Sequence, residues 1–74
     1  MSVVEPLGNR IRRIRMERGI TQDSLALKSK VDQSGLSKFE RGKAQKLGRV
    51  GVSRIASVLG MTLEELTDGT DFQS

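Results

Sequence analysis

Leu7, Ile11 and Ile14 recur at helical spacing with arginines between them, the pattern of an amphipathic helix with one inward face. Pro6 suits the first position of that helix, where its missing N–H costs nothing, and Gly19 offers a left-handed cap, so a first helix is predicted over roughly 6–18. Thr21 is a good N-cap for a second helix of about 22–29, with Leu25 and Ala26 inward. Asp32 can cap a third, about 33–41, with Leu36 and Phe39 inward and Gly42 ending it. Val52, Ile55, Ala56 and Leu59 form the inner face of a fourth, stopped by Gly60. In Thr62-Leu63-Glu64-Glu65 the Thr hydroxyl and the Glu65 carboxylate can satisfy each other's backbone donors, so a capping box opens a short fifth helix. No stretch reads as a strand. The expectation is an all-α, compact five-helix bundle forming a single domain over 1–74, with a core at about 6–67 and a short polar C-terminal tail.

The second and third helices are separated by only about three residues, which makes them cross steeply rather than lie antiparallel. That is a helix-turn-helix. It needs a small residue where the helices touch, supplied by Ala26, and an apolar set holding them together, supplied by Leu25, Val31, Leu36 and Phe39. Any three-helix core needs similar residues, so spacing leaves that alternative open.

Composition narrows the chemistry. A chain of 74 residues buries only about 60% of its unfolded surface and has little room for a substrate pocket. It contains no cysteine and no histidine, which removes disulfides, thiolate and imidazole metal ligands and the usual neutral-pH acid/base. No catalytic constellation, cofactor or metal is expected. The N-terminus lacks a signal-peptide pattern and no apolar run approaches the roughly 20 residues that span a bilayer, so a soluble, cytoplasmic, nucleoid-associated protein is expected.

Charge changes the picture further. All 13 Lys and Arg residues lie between Arg10 and Arg54, among only four acids, whereas Ile55 to Ser74 holds four acids and no base. One surface is suited to a polyanion and another avoids it, although scattered solvated charge would leave a similar tally.

The run Leu7-Gly8-Asn9-Arg10-Ile11-Arg12-Arg13-Ile14-Arg15, then Gly19-Ile20-Thr21-Gln22 with Leu25-Ala26, Val31 and Leu36-Ser37-Lys38-Phe39-Glu40-Arg41-Gly42-Lys43, resembles the phage repressor and Cro-like (Xre-type) helix-turn-helix family. The likeness continues through Ile55-Ala56 and Leu59-Gly60-Met61 to Leu63 and Leu66, covering roughly 7–67. It implies a lambda-repressor-like DNA-binding domain whose third helix lies in the major groove of double-stranded DNA. Gln33, Ser34, Ser37 and Lys38 match the base-reading positions, and their chemistry fits: Gln pairs with adenine, Lys donates to guanine and Ser serves several bases. Gln22 matches a phosphate clamp at the start of the second helix, and Arg10, Arg41, Lys43 and Lys46 could add backbone contacts. Arg15 and Glu40 match an ion pair between the first and third helices.

The function implied is an operator-binding repressor or autoregulator on a palindromic site. One recognition helix reads few base pairs, so a homodimer is expected, with Met61, Leu63, Leu66 and Phe72 as contact candidates in the acidic C-terminal third. The alternative is an antitoxin-type module that neutralises a toxin partner and autoregulates its operon. Three positions depart from the family pattern. Lys30 stands where the turn usually has Gly, Gly35 replaces a side chain in the recognition helix, and the segment Ala44-Gln45-Lys46-Leu47-Gly48 is longer than the common version by about one residue and lacks its proline.

Overall fold

In the computed structural model, which describes residues 4–42 and 47–72, five helices follow one another: α1 Leu7–Glu17, α2 Gln22–Ser29, α3 Gln33–Glu40, α4 Gly48–Val58 and α5 Leu63–Thr67. Local chemistry sets most of their ends. The Thr21 hydroxyl accepts from Ser24 N–H, the Asp32 carboxylate accepts from Gly35 N–H at 3.0 Å, and Thr62 with Glu65 completes the reciprocal capping box. Three helices stop by the same device: a left-handed residue at Gly19, Lys30 or Gly60, followed by an N–H that reaches back five residues. These bonds run from Ile20 to Arg15, Val31 to Ala26 and Met61 to Ala56.

Three boundaries move by a residue. Pro6 has ψ 131° and sits just before α1 rather than as its first residue, and Arg18 and Arg41 cap α1 and α3 instead of extending them. Because Pro6 has no side-chain donor or acceptor, the first turn of α1 takes its cap from far away: Asp71 Oδ1 accepts from Leu7 N–H at 2.9 Å. Residues 68–72, expected as a polar tail, therefore fold back on the start of α1. Glu5 N–H donates to Gly69 O and Asp71 N–H to Glu5 O, forming a parallel bridge between Glu5 and Thr70, while Phe72 packs half-buried against the core.

The core draws one stripe from every helix. Leu7, Ile11 and Ile14 meet Leu25, Ala26 and Leu36, and Val52, Ile55, Ala56, Leu59 and Leu66 close the other side. Each large aliphatic side chain removed from water contributes roughly 1.5–3 kcal/mol. α2 packs on α4 and α3, and α1 packs on α3. The last contact is unusually close: a Cβ added at Gly8 would overlap the Phe39 carbonyl oxygen and stand 2.8 Å from its carbon. Only glycine allows α1 and α3 to approach backbone to backbone there.

Candidate nucleic-acid interface

The turn between α2 and α3 consists of Lys30, Val31 and Asp32. Lys30 has φ 57° and ψ 38°, the left-handed conformation that the shortness of the turn demands, adopted here by a residue with a Cβ. Val31 packs against the core and Asp32 caps the following helix, so α3 leaves the turn in a fixed direction. Along α3, Gly35, Leu36 and Glu40 are buried, whereas Gln33, Ser34 and Lys38 are exposed and Ser37 is half-exposed. These four polar residues occupy i, i+1, i+4 and i+5, which is one continuous face of a helix. Gly35 belongs to the inward side, so its missing side chain leaves no gap in the outer face.

Behind this face runs a chain of polar contacts. Arg15 donates from Nε to Glu40 Oε2 and from Nη2 to Glu40 Oε1, both at 2.9 Å, and from Nη1 to the Ile20 carbonyl at 2.9 Å. The side chains are only 12% and 1% exposed, so this fork-to-fork pair ties α1 to α3 inside the protein. Gln22 then donates through Nε2 to Glu40 Oε1 at 3.2 Å, and Gln33 Nε2 donates to Gln22 Oε1 at 3.1 Å. The carboxylate can only accept, so it fixes which end of the Gln22 amide faces Gln33. Gln33 keeps its carbonyl oxygen and one N–H free, the donor and acceptor that a bidentate contact to a base edge requires.

The remaining site residues divide. Arg41 is exposed at the end of α3, beyond the last turn. Arg10, expected among the backbone contacts, is engaged elsewhere: its Nη1 lies 3.6 Å from the Glu5 carboxylate and its Nη2 donates to the Glu65 carbonyl at 3.3 Å, beside α5. Sequence spacing could not reveal this, because Glu65 is 55 residues away. Lys43 and Lys46 lie outside the described residues. Of the dimer candidates, Leu66 is 0% exposed and spends its whole apolar area inside the chain, while Met61, Leu63 and Phe72 are half-buried against the core. Among the described residues, Arg13 and Arg15 are also paired with carboxylates, and Arg12, Lys38 and Arg41 are not. Gly8 is marked in the sequence only as an isolated glycine inside an amphipathic repeat.

A helix-turn-helix family model matches residues 11–66. No curated protein sequence matches the chain. Among solved structures, the N-terminal DNA-binding domain of SinR from Bacillus subtilis is 31% identical over 84% of this chain and 90% of that one, with a TM-score of 0.76. The restriction-modification controller protein C.AhdI from Aeromonas hydrophila is 31% identical over 82% of this chain and 91% of its own, with a TM-score of 0.76. The clp gene regulator ClgR from Corynebacterium glutamicum is 28% identical over 88% and 68% respectively, with a TM-score of 0.79. SinR has been solved in complex with DNA and in complex with SinI, and the present chain spans 60% of the SinR/SinI chain it matches. With the α2–turn–α3 geometry in place and the family match spanning most of the sequence, the chain belongs to the Cro/C1-type (Xre) helix-turn-helix family.

Proposed function

We propose that this protein is a sequence-specific, double-stranded-DNA-binding regulator of transcription that acts as a repressor or autoregulator. The observation that carries the reading is the outer face of α3: four polar side chains on one stripe, anchored from behind by a buried ion pair and a glutamine relay. Such rigid support suits base reading, because a contact aimed from a fixed backbone discriminates between bases. SinR, a structural relative, has been captured on DNA. In this reading Gln33, Ser34, Ser37 and Lys38 face base edges. Gln22 and Arg41 hold the backbone on either side, as do Lys43 and Lys46. Arg10 is left out because Glu5 and Glu65 occupy it.

We assign a homodimer on a palindromic operator with half-sites about 34 Å apart, since a single α3 spans too few base pairs for useful specificity. The contact would use the exposed remainder of Met61, Leu63 and Phe72 on the acidic side of the molecule.

Selection of bound duplexes from a random pool tests both parts. Wild type should enrich a two-fold-symmetric sequence, and Gln33→Ala should lose preference at one base pair per half-site, worth about 1–3 kcal/mol there, with random-sequence affinity unchanged. Equal weakening on selected and random DNA would place Gln33 outside the groove. Enrichment of an asymmetric, single half-site would remove the dimer.

A further inference from the structure

α3 is gripped by α1 at two places of very different strength. Near the end of α1, Arg15 holds Glu40 through two charge-assisted bonds at 2.9 Å inside the protein. At its start, Gly8 merely abuts the Phe39 backbone, a contact that is only as well placed as the first turn of α1. That turn has no cap of its own, because Pro6 offers no side-chain acceptor and the Pro6 carbonyl receives its bond from Arg10 N–H.

Residues 68–72 supply what is missing. Glu5 N–H donates to the Gly69 carbonyl at 3.1 Å, Asp71 N–H to the Glu5 carbonyl at 3.1 Å, and Leu7 N–H to Asp71 Oδ1 at 2.9 Å. The carboxylate also lies at the positive end of the α1 dipole. The segment is moored in turn to the end of α5, where the Thr70 N–H and hydroxyl both donate to the Thr67 carbonyl. From the other side, Arg13 donates to both Glu5 carboxylate oxygens, at 2.9 and 3.1 Å. A clasp thus runs from α5 through Asp71 to Leu7, the residue next to Gly8.

We propose that residues 68–72 are a positioning clasp for the recognition helix: Asp71, by fixing the first turn of α1, sets the seat against which Phe39 lies and so the aim of Gln33 at a base. This role rests on the DNA-reading function of α3 and places a positioning residue outside the helix-turn-helix itself. With the clasp released, the Leu7 N–H turns to water, the first turn frays and Gly8 no longer props Phe39. α3 then pivots about the Arg15–Glu40 pair. Gln33 stands six positions before Phe39, roughly 9 Å along the helix, so a tilt of about 5° displaces it by about 0.8 Å. A designed contact holds only within about 0.5 Å of its productive geometry, so so small a tilt is enough to remove discrimination. Phosphate contacts carry no sequence information, and random-sequence binding persists.

The test compares Asp71→Ala with Asp71→Asn in the full chain, at a temperature where thermal melts show both fully folded. Both lose the same charge, but only Asn keeps an oxygen that can accept from Leu7 N–H. Affinity is measured for the duplex that wild type selects and for a random-sequence duplex. The ratio of the two should fall by about three- to five-fold in Asp71→Ala, which is what the loss of one helix cap can transmit, and should keep its wild-type value in Asp71→Asn. Random-duplex affinity should be the same in the two variants. Equal ratios in the two variants would overturn the clasp, whatever their melting temperatures, and make Asp71 a structural cap alone. Equal weakening of Asp71→Ala on both duplexes would overturn it as well, leaving DNA binding intact. NMR of the free protein gives a readout that needs no DNA: the Phe39 backbone and Gln33 side-chain amide signals should shift in Asp71→Ala relative to Asp71→Asn. Unchanged signals would refute the clasp alone, whereas shifted signals in a protein whose wild type prefers no duplex would refute base reading by α3 and uphold its coupling to Asp71.

Discussion

Replacing Glu40 by Gln removes one charge from the interior with almost no change of shape, which isolates the electrostatic role of the Arg15–Glu40 pair. The carboxylate accepts three hydrogen bonds, two at Oε1 and one at Oε2. A glutamine amide offers one acceptor. With its oxygen at the Oε1 position, its NH2 faces Arg15 Nε donor to donor; flipped, it faces both Arg15 Nη2 and Gln22 Nε2. Arg15 is meanwhile left as a cation only 12% exposed with no counter-charge, keeping the Ile20 carbonyl and one bond to the amide oxygen. Breaking a buried pair from one side costs about 3–5 kcal/mol. A domain of 74 residues has roughly 4–11 kcal/mol of stability in total, so this loss is a large share of it. At about 4–8 °C per kcal/mol, the melting temperature should fall by at least about 12 °C. Thermal melts followed by helical circular dichroism measure this directly. A Glu40→Gln protein melting within a degree or two of wild type would show that the pair carries no net stabilisation and that the reasoning is wrong. The double variant Arg15→Met/Glu40→Leu supplies the cross-check, because removing both charges should cost less than the sum of the two single changes.

Other changes test the close contacts and turns. Gly8→Ala should destabilise by about 3 kcal/mol, since the new methyl meets the Phe39 backbone rather than a movable side chain; urea titration measures the loss. Lys30→Gly should stabilise by up to about 1 kcal/mol in the same assay, because glycine adopts φ 57° without strain, with part of the gain offset by a freer unfolded chain. Ser29→Ala should raise the melting temperature, by about 1 kcal/mol in stability, because the Ser29 hydroxyl is fully buried with no hydrogen-bond partner among the described residues.

The helices themselves were written locally. Thr21, Asp32 and Thr62 cap donors three residues ahead, Gly19 and Gly60 stop helices within a turn, and the apolar repeat marks which face turns inward; each signal lies within a few residues of what it controls. Lys30 stands where the resemblance puts a turn glycine, which leaves a left-handed lysine or a reshaped turn, and the structure shows the former. The resemblance to a known family added the site, since the matching positions of α3 fall on one face of the helix. Contacts between residues distant in the chain were another matter. Arg10 has Glu5 nearby in the sequence, but only the packing of α5 against α1 brought the Glu65 carbonyl to it. Asp71 caps Leu7 across 64 residues, and Leu66 is consumed by the core instead of a partner surface. Gly8 reads as a weak point in a helix until α3 is laid across it. The helices form on local rules, but the partner of each exposed charge and the value of each small residue are fixed only by the angle and distance at which those helices cross.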